Sequence, residues 1–157
     1  MQDSDIKKNF LNSMRGITST VNVISATAQG RRHAMTATSV TSLSLDPPSM
    51  LVCINKEASL HKILLDNSNF CINVLSSLQK ELAEVCSNSE EGESRFVSES
   101  WKDQGPYIYN EDALSNIFCT KINQVDHTSH TIFIGTVDRV INSPDLKPLL
   151  YGSGGYL

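Results

Sequence analysis

The chain has 157 residues, 39% hydrophobic and 19% charged, with 13 basic against 17 acidic side chains and a formal net charge of −4. That length suits one domain that buries on the order of 70% of its unfolded surface without a disulfide or metal staple, and the composition is globular rather than disordered. The acidic balance gives no support to a nucleic-acid partner, no stretch reaches the roughly 20 apolar residues that span a bilayer, and the polar start MQDSDIKKNF lacks a signal core.

The sequence therefore reads as a soluble, cytoplasmic, single-domain protein over 1–157 with no membrane partner. Ser4 is placed to cap a short helix in which Ile6, Phe10 and Met14 recur every four residues, and Gly16 ends it. Over residues 20–28 the period changes. Val21 and Val23 point one way and Ile24 and Ala26 the other, as on a strand. Residues 29–33, with Gly30, predict a hairpin turn. Residues 35–45, MTATSVTSLSL, predict one long strand that Asp46-Pro47-Pro48 stops, because prolines cannot donate to a ladder. Residues 50–54 are a continuous apolar run, expected as a strand buried on both faces. Residues 59–65 predict a helix with Leu60, Ile63 and Leu64 in one stripe. Residues 70–75 predict another buried strand, and 78–85 a second short helix with Leu82 and Val85 inward. The acidic stretch 87–94 is expected to be a mobile loop. Residues 114–125 and 131–141 predict two long strands, with a third short one near 149–151. There is no internal repeat. The sum is a mainly β fold, a barrel with a few short peripheral helices.

Cys53, Cys71, Cys86 and Cys119 lie far apart with no CxxC pair, which argues against zinc. They are expected to be buried, reduced thiols. Residues 36–44 carry six hydroxyls. On an unbroken strand Thr36, Thr38, Ser42 and Ser44 share one face, and Ser39 and Thr41 the other. Neutral donors along a strand suit a ring bearing carbonyls and nitrogens, although a solvated edge strand has the same pattern. Residues 53–59 leave a strand, turn and enter a helix with Ser59 as its cap. Such a turn offers unpaired N–H groups to a phosphate, with Lys56 adding charge, and is equally an ordinary strand-to-helix loop. His127 and His130 stand three apart before a strand, as half a metal site or as solvated loop residues.

Taken together, VNVISA (21–26), MTATSVTSLSLDPPSMLVCINKEAS (35–59), FCINVLSSLQKELA (70–83), RF (95–96), HTIFIGTV (130–137) and PLLYGSGGY (148–156) resemble the flavin reductases with an FMN-binding split barrel. These are the reductase components of two-component flavin monooxygenases. The resemblance implies NAD(P)H-dependent reduction of FMN or FAD, a homodimer, and a monooxygenase partner that receives the reduced flavin. By position it puts Met35, Thr36, Ala37, Thr38 and Ser39 along the isoalloxazine ring, with Cys53 and Ile54 against it. Ser42, Asn55, Lys56 and Ser59 would hold the ribityl chain and phosphate. His130, near the hydride-transfer site, and Tyr151 would place the nicotinamide of NADH or NADPH, with no metal involved. Arg95 is a weaker candidate for the flavin tail or the partner subunit, and Arg31 and Arg32 for a 2′-phosphate or for solvent. The rival readings are a non-catalytic flavin carrier, an oxidoreductase with tightly held FMN acting on another substrate, and a plain β-barrel interaction domain.

Overall fold

The β-branched runs pair into one antiparallel sheet of seven strands. A computed structural model describes residues 2–144 and 147–157. After helix α1 (Asp3–Arg15) come β1 (Ser19–Thr20), β2 (Asn22–Ala28), β3 (Arg31–Ala37), β4 (Val40–Leu45) and β5 (Pro48–Asn55). Helix α2 (Ser59–Asp66), β6 (Asn69–Val74) and helix α3 (Lys80–Ser87) follow. A 3₁₀ turn (Gly92–Phe96) leads to β7 (Trp101–Gln104), β8 (Tyr107–Asn110), β9 (Ser115–His127) and β10 (His130–Asn142). The chain ends in β11 (Leu150–Gly152) and β12 (Gly155–Tyr156).

The large sheet runs in the order β3-β2-β6-β9-β10-β5-β4, so consecutive strands β3 and β4 form its two opposite edges. A flat sheet at about 4.8 Å per strand would hold these edges about 29 Å apart. The three peptide steps from Ala37 to Val40 reach only about 11 Å. The sheet must therefore curl until its edges approach, giving a split barrel whose seam is spanned by Thr38 and Ser39. At the β4 side of that seam the Cys53 N–H donates to the Ser39 carbonyl at 3.0 Å, extending the β4–β5 ladder by one residue. The predicted long strand over 35–45 is thus two strands, and its hydroxyls do not share the faces that an unbroken strand would give them. A register shift between Ser42 and Ser44 breaks the alternation again. Asp46-Pro47 forms a hairpin rather than a full stop, since Pro48 already pairs with Leu45.

The alternation in β2 is as predicted. Ile24 and Ala26 face the barrel interior with Val52, Ile54, Phe70, Ile72 and Phe133, while Leu60 and Leu64 of α2 pack into the same cluster. Val21 and Val23 face the opposite way, into a second cluster with Ala83, Cys86, Phe96, Trp101 and Ile108. Each fully buried large side chain of this kind contributes about 1.5–3 kcal/mol of transfer free energy. In α3 it is Ala83 and Cys86 that are buried, one position on from the predicted Leu82 and Val85. Between the clusters sits a closed polar network. Asn73 donates to Val23 O and Ser25 Oγ, and accepts from the Asn110 N–H and Asn116 Nδ2, so all its hydrogen-bonding groups are paired.

Turn chemistry fixes the hairpins. The turn predicted at 29–33 narrows to Gln29 and Gly30, with φ of 52° and 74°, the two-residue geometry that suits strand twist. His33 is therefore a strand residue. The hairpin of β7 and β8 has no counterpart in the sequence reading. Its strands are only four residues each, although Gly105-Pro106 marks the turn. Helix α1 starts after Gln2 with no side-chain cap, so Ser4 lies inside it rather than at its cap. No residue of α1 is buried. Among the described residues no helix is long and apolar enough to cross a membrane.

Candidate functional site

The seam organises the site. Met35, Thr36 and Ala37 end β3, and Thr38 and Ser39 form the exposed link. Thr36, Ala37 and Thr38 line a cavity of about 460 Å³ with Val21, Ser87, Tyr151, Gly154, Gly155 and Tyr156. Tyr151 and Tyr156 meet edge to face at 5.4 Å, so one aromatic wall stands opposite the threonine ledge. The Thr36 hydroxyl donates to Ala83 O of α3 at 2.6 Å, which leaves it acceptor capacity only. Thr38 is the exposed hydroxyl of this ledge.

On the other side of the seam Val40 pairs with Val52, and Cys53 is half-buried beside Ser39. Burial raises the Cys53 thiol pKa, so it is a protonated apolar surface at neutral pH. Ile54 points the opposite way and is wholly inside the barrel core, leaving only its backbone for a ligand. Ala37 and Met35 likewise pack on the core.

Asn55 ends β5 directly opposite His130, the first residue of β10. The turn beyond it is largely self-satisfied. Asn55 Oδ1 accepts from the Glu57 N–H, Asn55 O from the Ala58 N–H, and Ser129 O from the Lys56 N–H. The N–H groups of Lys56, Glu57 and Ala58 are therefore spent. Those that remain are the first-turn N–H groups of α2 at Ser59 and Leu60, which a helix leaves without internal acceptors. The helix starts after Ala58, so Ser59 is its first residue and not its cap. Lys56 Nζ stands 3.9 Å from Asp126 Oδ1, and both groups are well exposed. Ser59 lines a second cavity, of about 410 Å³, with Arg31, His33 and Lys62. This places two cationic side chains, Arg31 and Lys62, and the His33 ring beside the start of α2, with Glu57 and Asp66 on the same rim.

One backbone hydrogen bond joins Ser39 to Cys53, and His130 pairs with Asn55. Ser42 stands apart: it pairs with Met50, five residues before Asn55, on the order of 17 Å along the strand. His130 and Tyr151 stand on different walls, one at the β9–β10 turn and the other beside Thr36. His130 is exposed, with Nδ1 2.8 Å from Ser129 Oγ, and it pairs with His127 across the turn. Arg95 is buried, donating to the carbonyls of Ala34 and Asn88, and its own carbonyl accepts from Trp101 Nε1. It ties the 3₁₀ turn to β3 and does not face the seam. Arg32 is held by Glu93 and lies over the Phe96 ring, which leaves Arg31 facing the second cavity. Tyr156 was visible in the sequence only as part of a C-terminal motif, and its place in the aromatic wall follows from the pairing of Tyr151 with it.

Residues 14–157 match the family described as a flavin reductase like domain. The reductase component of the FADH(2)-dependent resorcinol hydroxylase of Rhizobium sp. (strain MTP-10005) is 39% identical over 155 residues, covering 96% of this chain and 86% of that protein. The FMN reductase (NADH) RutF of Agrobacterium fabrum is 32% identical over 151 residues, covering 94% of this chain and 85% of its own. The solved structure of the flavin reductase PheA2 in its native state superposes with a TM-score of 0.86 at 30% identity, over 100% of this chain and 97% of that one.

Proposed function

Because the chain belongs to the flavin reductase like domain family, we propose that it is an NAD(P)H:flavin oxidoreductase that reduces FMN or FAD and passes the reduced flavin to a partner monooxygenase. The observation that carries this reading is the cavity at the seam, bounded by the Thr36–Thr38 ledge and the Tyr151–Tyr156 wall, with Ser39 following the ledge in the chain and bonded to Cys53. A flat heteroaromatic ring with polar edges fits such a groove. Its phosphate tail fits the first turn of α2, where N–H groups, Lys56 and Lys62 supply positive potential.

Hydride transfer from nicotinamide to flavin is the coenzymes' own chemistry. In this reading the backbone and side chains of residues 35–39 seat the ring edge, and Thr38 supplies the exposed hydroxyl. Cys53 gives one face an apolar contact. The Thr38 hydroxyl would supply a donor toward negative charge that grows on the bound ring, which would lower the barrier without reorganisation. Asn55 shapes the turn, and Lys56 and Ser59 take the phosphate. His130 and Tyr151, from two walls, would orient a bound nicotinamide toward the ring. Ser42 lies too far along β4 to share the phosphate.

The same reading includes a homodimer, supported by the bare apolar side chains of α1. It includes a cytoplasmic setting, supported by four unpaired cysteines, and a single functional unit over 1–157. Anaerobic mixing of the protein with FMN or FAD and then NADH or NADPH tests it. The flavin absorbance is expected to bleach with turnover, whereas no oxidation of either nicotinamide with either flavin would overturn it. His130→Ala is expected to raise the KM for NAD(P)H or lower kcat while flavin binding persists. Ser59→Ala is expected to weaken flavin binding in a fluorescence titration, and Ser42→Ala to leave it unchanged.

A further inference from the structure

Beneath the Asn55–Ser59 turn lies a polar chain that has no part in seating the ring. His61, on α2, is 6% exposed, and its Nε2 lies 2.8 Å from Thr131 Oγ1. Thr131 is fully buried and donates to Asp126 Oδ1 at 2.6 Å. A hydroxyl has one hydrogen, so the Thr131 oxygen must accept from His61, and that fixes the imidazole proton on Nε2. Burial keeps the ring neutral, with Asp126 favouring and Lys56 opposing its protonation. The same Asp126 oxygen stands 3.9 Å from Lys56 Nζ.

The chain joins four elements. Thr131 pairs with Ile54 of β5 on one side and Asp126 of β9 on the other, and the His61 ring packs 5.5 Å from that of Phe133. Filling volume does not call for these groups, since leucine and valine would do so without burying a donor and a hydroxyl. What the polar groups add is direction. The path runs from the core to an exposed carboxylate, and from there to the one lysine of the turn. A long flexible side chain held by one partner loses less freedom when its ligand arrives.

We propose that His61, Thr131 and Asp126 form a positioning relay that holds the Lys56 ammonium at the start of α2, ready for the phosphate of an incoming flavin nucleotide. The proposal rests on the assignment of that turn as the phosphate site. None of the three residues touches the reacting rings, and all act through Lys56.

The test compares the KM for FMN with that for riboflavin, which has no phosphate, at saturating NADH. Thr131→Val is expected to raise the FMN KM about fivefold, with kcat and the riboflavin KM within about twofold of the parent. Thr131→Ser, which keeps the hydroxyl, restores the parent value. Asp126→Ala cuts the relay at its exposed end and is expected to raise the FMN KM in the same selective way. An unchanged or lowered FMN KM in Asp126→Ala overturns the relay, even if Thr131→Val fails to fold. Equal loss with FMN and riboflavin, or no rescue by Thr131→Ser, also overturns it. Lys56→Met separates the two layers. If it raises the FMN KM while Thr131→Val and Asp126→Ala do not, the relay falls and the phosphate site stands. If it has no effect, both fall.

Discussion

Cys53 is the only cysteine that is not fully buried, and it stands at the seam. Burial pushes the Cys86 and Cys119 thiols up to about 12, that of Cys71 well above its ordinary value, and that of Cys53 up less far. Only thiolate reacts, so iodoacetamide at mildly alkaline pH is expected to label the native protein at Cys53 alone. FMN is expected to slow that labelling if the ring covers the seam. Peptide mapping that found Cys86 or Cys119 labelled as fast would contradict the burial order. At this scale side-chain direction was the part least legible in the sequence. The resemblance implies Ile54 beside the ring, but period-2 alternation turns its side chain into the core. Thr36 was expected to donate to a ligand, and its hydrogen goes to Ala83 O, a partner 47 positions away that local pattern does not reveal.

At the level of elements, strands with one apolar face were legible and irregular joints were not. The β2 alternation assigned Val23 and Ile24 to opposite sides correctly. The unbroken run MTATSVTSLSL hid the break at Thr38, because the break is imposed by strand order and not by a Gly or Pro. The β9–β10 hairpin carries a local cost of its own: Thr128 holds φ at 47°, a conformation that a β-branched residue resists. Thr128→Gly is expected to stabilise the fold by about 1 kcal/mol, seen as a raised urea midpoint with the same slope. Gly135 shows the opposite constraint. A Cβ there would lie 2.8 Å from Phe70 Cζ and 3.0 Å from Cys119 Cβ, and both neighbours are fully buried. Gly135→Ala is expected to cost about 1–3 kcal/mol by the same measurement.

For the whole molecule, two histidines set the response to acid. His33 and His61 both have pKa values below the ordinary 6.5, with burial the largest cause in each. Just below that value the unfolded chain binds protons that the folded chain refuses, so stability falls as the pH drops. Denaturant midpoints are expected to decline from about pH 7 to about pH 5.5, and His33→Asn to flatten part of that decline. A midpoint that rose over this window would reverse the sign. Helix α1 raises the other global question. Its 13 residues bury nothing, and Phe10 and Leu11 are 59% and 63% exposed. A helix that short is marginal without a covered face. The proposed homodimer predicts a sedimentation mass of two chains, shifted toward one by Phe10→Ser.

The two peptide units at Thr38 and Ser39 also tie opposite margins of one ribbon to each other. A ligand clamped there would damp the opening of the whole cylinder, so coenzyme release and barrel breathing would follow a single motion. Slower hydrogen exchange at the Cys53 amide once FMN is added would show the ladder beside that tie tightening with the ligand.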